Sequence, residues 1–286
     1  MYVALNPIMT VGGKLSWQEF ARLAAKTGYG GAEVMLDQAM HDGPEATRRL
    51  LAELNIKPAV INFPVEFRKD DAAFQDGLKK LPEVSAFAAA IGCPRMVTWM
   101  LPSSPLPKDE QRKIYLDRLS ASAAILARDK VRLGLENVSP VHLRKLNKYE
   151  FIYKMPEMLQ LAKDCGPNCG MLLDSWHWHH SGATPADIVA AGKEGIVHVH
   201  LADAPKIPPE DIRDNQRLLP GEGVLDWKGF FGALQKIGYA DAVAPEVFGR
   251  GIKEMGPQEG AWEGLKYARD VMRSAGLAAV RDSVKA

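Results

Sequence analysis

Eight short apolar runs, each followed by a stretch of helical periodicity, constrain this chain more than any other feature. They cover residues 3–7, 31–36, 57–62, 95–99, 131–136, 169–174, 196–202 and 242–247. Strands that alternate with helices read as βα units feeding a parallel sheet, and eight in succession predict an α/β fold, a single (β/α)8 TIM barrel. The 286 residues suit one large barrel or two ordinary domains at roughly 100–200 residues each. No Gly/Ser linker or composition break interrupts the alternation, so residues 1–286 are read as one barrel domain, with longer loops at 102–107 and 137–153. The first helix is fully signalled: Ser16 and Glu19 stand at capping-box spacing, Phe20, Leu23 and Ala24 share a face, and Gly28 stops it. An internal echo supports the repeat, because Trp17, Phe20, Gly28, Tyr29 and Ala32 recur at the same spacing as Trp227, Phe230, Gly238, Tyr239 and Ala242. These aromatic residues read as core packing, and their value is topological.

The charge balance narrows the function classes. Lys and Arg number 36 against 35 Asp and Glu, without the basic excess of a protein that grips a phosphate backbone, so nucleic acid is disfavoured as a partner. The longest stretches free of Asp, Glu, Lys and Arg, such as 84–94 and 96–107, fall short of the ~18 apolar residues of a membrane helix. The first residues lack a basic n-region and a cleavable apolar core, and there are three cysteines, which together suit a reducing cytoplasm. Cys165 and Cys169 frame Cys-Gly-Pro-Asn-Cys. The usual zinc and thioredoxin spacing is two residues, so this pair reads as small residues around a turn.

Chemistry concentrates at the carboxyl ends of the later strands, where barrel enzymes build their sites. Period-two alternation turns Glu136 inward with Gly134, while Leu133 and Leu135 face the helices. The sixth run ends on Asp174, with His177 three residues into the following loop. In the seventh, His198 and His200 share the barrel-facing side while Val197, Val199 and Leu201 are expected to pack outward. The eighth ends on Glu246. A lone strand histidine is usually a hydrogen-bonded core residue, and a single strand-end carboxylate is often a cap. Four such residues at adjacent strand ends are harder to explain, because unpartnered buried carboxylates cost several kcal/mol, roughly, and a divalent cation offsets their charge. Two glutamates, an aspartate and an imidazole make an oxygen-rich set suited to Mn²⁺, Mg²⁺ or Co²⁺.

The segments Gly134-Leu135-Glu136-Asn137, Leu173-Asp174-Ser175-Trp176-His177, His198-Val199-His200-Leu201-Ala202-Asp203, Pro220-Gly221-Glu222-Gly223 and Pro245-Glu246 follow in an order that resembles the xylose isomerase-like barrel superfamily of sugar isomerases and epimerases. That resemblance implies a divalent-metal isomerase or epimerase acting on a ketose or related hydroxy-carbonyl compound, a small sugar or polyol-derived substrate. Glu136, Asp174, His200 and Glu246 would hold the metal, and Glu136 and Glu246 would double as the acid/base pair on opposite faces of the substrate. His177 would contact a substrate hydroxyl. Related epimerases carry an arginine after the histidine motif, where this chain has Lys206, so Lys206 is expected to bind substrate as a point charge. Self-association into a homo-oligomer is left open. The competing readings are a dehydratase of the inosose or 3-dehydroshikimate type, an abasic-site DNA endonuclease and a sugar-binding barrel without catalysis. The endonuclease needs more histidines than the seven present. The Gly221-Glu222-Gly223 segment reads as a turn before an Asp226-capped helix in preference to an anion site.

Overall fold

The computed structural model describes residues 1–277. Its eight barrel strands are β1 (Tyr2–Leu5), β2 (Gly31–Val34), β3 (Lys57–Asn62), β4 (Arg95–Met100), β5 (Arg132–Asn137), β6 (Cys169–Asp174), β7 (Ile196–Leu201) and β8 (Ala242–Pro245). They close into a parallel barrel in chain order, with β8 pairing back onto β1. This is the (β/α)8 barrel that the alternation predicts, and each expected run contains or overlaps its strand. The long loops carry small elements of their own, a helix at Val141–Arg144 and a two-stranded antiparallel pair of Ser103–Ser104 with Tyr149–Glu150. No helix among the described residues is long and apolar enough to cross a membrane.

Local chemistry accounts for the helix ends. Ser16 and Glu19 form the expected capping box on the helix Trp17–Thr27, which Gly28 closes at φ +100°. The echo holds at the other end of the chain, where Asp226 caps Trp227–Lys236 by accepting from the Gly229 amide at 2.9 Å. Gly238, like Gly28, takes a positive φ that side chains avoid. The cysteines are free and buried, and burial pushes the thiols of Cys165 and Cys169 up to about 12, so they pack as small apolar groups.

Two apolar layers hold the barrel. The larger lies between strands and helices and includes Leu133, Leu135, Val199 and Leu201. Inside the barrel, Ala4, Ala59, Ala242 and Ala244 form one cluster and Val60, Val97 and Leu172 another. One residue departs from simple alternation. The β6–β7 register shifts from Met171↔Ile196 to Leu172↔His198, so the extra residue, Val197, forms a bulge. It fills the space that Gly134 and Gly170 leave inside the barrel: a Cβ at Gly134 would meet the Val197 Cβ at 3.0 Å, and one at Gly170 its Cγ2 at 3.0 Å. The expectation that Val197 packs outward is thus corrected, and the bulge is what lets His198 and His200 still face inward.

Gly134→Ala should therefore overpack this layer, since its Cβ would also stand 3.0 Å from Val97 Cγ1 and 3.1 Å from the Leu172 amide nitrogen. A loss of about 1–3 kcal/mol is expected in urea unfolding, and adding Val197→Ala should recover part of it. No loss in the single variant would show that the layer has slack.

Candidate metal and active site

Four strand ends bring Glu136, Asp174, His200 and Glu246 together, with one ligand atom from each lying within 4.8 Å of all the others. Their strands are neighbours in the order β5, β6, β7, β8, so the two glutamates stand at the ends of the row and Asp174 and His200 between them. Glu246 is set just past β8 by its amide, which donates to the Leu201 carbonyl at 2.9 Å. Asp174 caps the short helix Ser175–His180, its Oδ1 accepting from the His177 amide at 3.0 Å. That cap places His177 in a helix where a loop residue was expected, still facing the same cavity.

Beneath this row lies a feature that the sequence reading missed. Glu33, on β2, reaches across the barrel to His198 Nε2 at 2.9 Å and His200 Nε2 at 3.0 Å, both through Oε1. Its Oε2 accepts from Asn6 Nδ2 at 2.9 Å. A carboxylate only accepts, so both imidazoles are assigned a proton on Nε2, and on His200 it is Nδ1 that a metal could take. Burial opposes ionisation of Glu33, yet His200 and His198 hold it down to about 2. The only signal was the inward position of Glu33 beside Gly31 in a four-residue strand.

The electrostatics describe a site built for a cation. Burial, then Asp174 and Glu246, push the Glu136 carboxyl well above its ordinary value. Burial also resists a charged His200, but Glu246 and Glu33 on either side outweigh it and raise its value well above the usual imidazole range. Glu136 Oε1 and His200 Nδ1 are both buried without a hydrogen-bond partner. An unpartnered carboxylate oxygen and an imidazole nitrogen whose proton a metal can displace, set in a carboxylate cluster, fit a divalent cation, which the four residues would hold.

Arg217 is the second residue that the sequence reading missed. Its buried guanidinium reaches Asp174 Oδ2 at 2.8 Å and Glu246 Oε2 at 3.0 Å through Nη1, and Asp214 Oδ1 at 3.0 Å through Nη2. Burial resists ionisation of Asp174, but Arg217, His177 and His200 hold it down to about 2. Arg217 Nη2 also stands 3.1 Å from His177 Nε2, while the Ser139 amide is 3.3 Å from His177 Nδ1. A neutral imidazole accepts at one nitrogen only, so one of these two donors makes no bond to the ring. Lys206, by contrast, is exposed and does not line the cavity. The cause is a backbone bridge in which Asp203 and Leu218 exchange amide-to-carbonyl bonds, both at 2.9 Å. It folds 204–217 into a loop whose outer limb carries Lys206 and whose returning limb brings Arg217 to the barrel mouth. Arg217 thus occupies the place expected of Lys206.

The four-residue row, His177 and Arg217 line or border one cavity of about 630 Å³, walled by Phe63, Trp99, Leu143 and Phe248. Residues 21–271 match the xylose isomerase-like TIM barrel family. The chain belongs to that family. Inosose isomerase of Bacillus subtilis is 25% identical over 219 residues, 76% of this chain and 77% of that protein. A 3-dehydroshikimate dehydratase of Pseudomonas aeruginosa is 25% identical over 256 residues, 85% of this chain but 38% of the larger relative. The crystal structure of the IOLI protein with a bound zinc atom superposes with a TM-score of 0.82 at 21% identity, covering 96% of this chain and 99% of that one.

Two measurements probe the cluster without any substrate. Glu136 has a raised value in the fold, so the stability linked to it is present below the ordinary carboxylate range and is lost as pH rises through that range toward the raised value. Metal-free Glu136→Gln should consequently gain on wild type in urea unfolding, and more at pH 8 than at pH 5; a gain that shrinks with pH would contradict the assignment. Glu33→Gln weakens the grip on His200 Nε2 and should lower Mn²⁺ affinity by about 10–100-fold in calorimetric titration. Unchanged affinity would remove Glu33 from the site.

Proposed function

We propose that this chain is a divalent-metal-dependent enzyme, an isomerase or epimerase that moves a proton beside the carbonyl of a ketose or related hydroxy-carbonyl compound, with the barrel as its catalytic domain. The observation that carries this reading is the convergence of Glu136, Asp174, His200 and Glu246, with Glu136 Oε1 and His200 Nδ1 buried and unpartnered. Membership of the family and the likeness to an inosose isomerase support it.

When bound by these four residues, the cation supplies Lewis-acid stabilisation of negative charge at a carbonyl oxygen. The residues of the chain do the rest. Glu136 and Glu246 enter from β5 and from the end of β8, on either side of Asp174 and His200, so a substrate laid over the row has a carboxylate toward each face. One glutamate takes the proton next to the carbonyl and the other returns one, which is what inversion or isomerisation requires. Arg217, charged and bonded to three carboxylates, holds Asp174 and Glu246 in place, and His177, on the same wall, orients a substrate hydroxyl. Phe63, Trp99, Leu143 and Phe248 limit water around the exposed carbanionic centre.

A dehydratase is the second reading, favoured by the likeness to the Pseudomonas enzyme across most of this chain. It shares the first proton removal and differs in losing a β-hydroxyl in place of reprotonation.

Metal-loaded protein incubated in deuterated water with ketoses, inososes and 3-dehydroshikimate separates these outcomes by NMR. Deuterium at the carbon next to the carbonyl is expected for proton transfer, and loss of water for dehydration. Chelation should abolish turnover, with Mn²⁺, Mg²⁺ or Co²⁺ restoring it. Glu136→Gln and Glu246→Gln should each lower turnover by at least ~100-fold. Full activity in metal-free protein, or product formed without solvent hydrogen at that carbon, would overturn the mechanism.

A further inference from the structure

The cavity has a second charged wall that proton transfer does not use. Arg68 lines it, following β3, and is held against β4: its Nη1 donates to Thr98 Oγ1 at 3.0 Å and to the Trp99 carbonyl at 2.6 Å. The guanidinium carbon stacks 4.5 Å from the centre of the Trp99 ring and 4.8 Å from that of Phe67. These contacts fix the plane of the fork but neutralise none of its charge. The carboxylate nearest to it is Glu66, with Oε1 3.7 Å from Nη2, beyond hydrogen-bond length, and with its side chain 42% exposed to water. Burial lowers the Arg68 value from its ordinary one, with Glu66 opposing, as expected of a guanidinium drawn partly out of water.

The contrast with Arg217 is informative. Of the two guanidiniums that line the cavity, Arg217 is saturated by Asp174, Glu246 and Asp214, whereas Arg68 meets one carboxylate among the described residues, Glu66, loosely at 3.7 Å from Nη2, so its fork can take a better-matched anion. The two ends are also close enough to share one small molecule. Trp99, under the Arg68 plane, is the register partner of Glu136, and adjacent strands lie about 4.8 Å apart. The cation-holding row takes the carbonyl end of the substrate, so a molecule whose anionic end lies on Arg68 has a single productive orientation.

We propose that Arg68 is an anion-binding subsite and that the substrate is a hydroxy-carbonyl compound bearing a carboxylate or phosphate at the end away from the Glu136–Glu246 row. The subsite rests on the enzymatic reading above and narrows its substrate class. It sets orientation: the anionic group docks on the planar fork through charge-assisted hydrogen bonds, and the carbonyl end falls on the metal-binding residues.

Calorimetric titration of the Mn²⁺-loaded protein with matched probes tests it. D-fructose, D-fructuronate and D-fructose 6-phosphate differ only at the end far from the carbonyl; scyllo-inosose and 3-dehydroshikimate give a cyclic comparison. At least one anionic probe should bind ~10-fold or more tightly than its neutral counterpart, the size of one charge-assisted hydrogen bond, and whichever probe wins identifies carboxylate or phosphate as the source. The preference should shrink with added salt. Arg68→Met should collapse it to within about twofold and Arg68→Lys should keep part of it, with Mn²⁺ stoichiometry reporting that both variants are folded. Equal affinity for neutral and anionic probes in wild type, no binding of either anionic probe, or an anion preference that survives Arg68→Met overturns the proposal. The same samples in deuterated water separate it from the catalytic reading. Anion preference without deuterium exchange keeps the subsite and rejects proton transfer, and exchange without anion preference does the reverse.

Discussion

The grip of Glu33 on two imidazoles is the interaction around which the centre of the barrel is arranged. One carboxylate oxygen, brought from β2 across the interior, meets His198 and His200 on β7. Ala4 on β1 and Ala242 and Ala244 on β8 are small inward residues, which leave room for long polar side chains in a barrel otherwise filled by apolar layers. The ion pair with His200 is fully desolvated, and Asn6 takes up the second oxygen of Glu33, so the group is neither unpaired nor free to rotate. With its Nε2 committed below, His200 has only Nδ1 to offer upward, toward Glu246 at 3.4 Å. The chemistry at the mouth therefore depends on a contact one layer beneath it.

The row of carboxylates above is unfavourable by itself. Glu136 and Glu246 lie near Asp174, with a single guanidinium among them, and the raised value of Glu136 expresses that crowding. Such an arrangement is stable in proportion to the positive charge it can recruit. Arg217 supplies part of it, and a divalent ion held by the four residues would supply the remainder.

Much of this was legible in the sequence because it is periodic. Alternation located the eight strands and turned Glu136, Asp174 and His200 inward, and a capping box with a terminal glycine framed the first helix. What was not legible depended on contacts between distant segments. Glu33 sits in a strand too short for its alternation to be distinctive, and its partners lie 165 and 167 residues away. Val197 broke the alternation through a bulge that only the Met171–Leu172 register reveals. Lys206 was the basic residue nearest to the histidine motif in the chain, but a backbone bridge makes Arg217 the nearest in space. Linear proximity fails wherever a loop doubles back.

That bridge is itself anchored with unusual redundancy. Asp203, fully buried, accepts from the amides of Ala204, Gly221 and Leu225 and from Trp227 Nε1, and Gly223 packs so closely that a Cβ there would come 2.2 Å from the Ala204 carbonyl oxygen. The two ends of the 204–217 loop are thereby clamped at the barrel rim, while its outer limb runs exposed through water. Mechanically this is a staple at the neck of a hairpin: insertions, deletions or substitutions between Lys206 and Asp211 alter the rim that an arriving molecule first meets without transmitting displacement to Arg217. The chain can thus vary its entrance and keep its chemistry fixed.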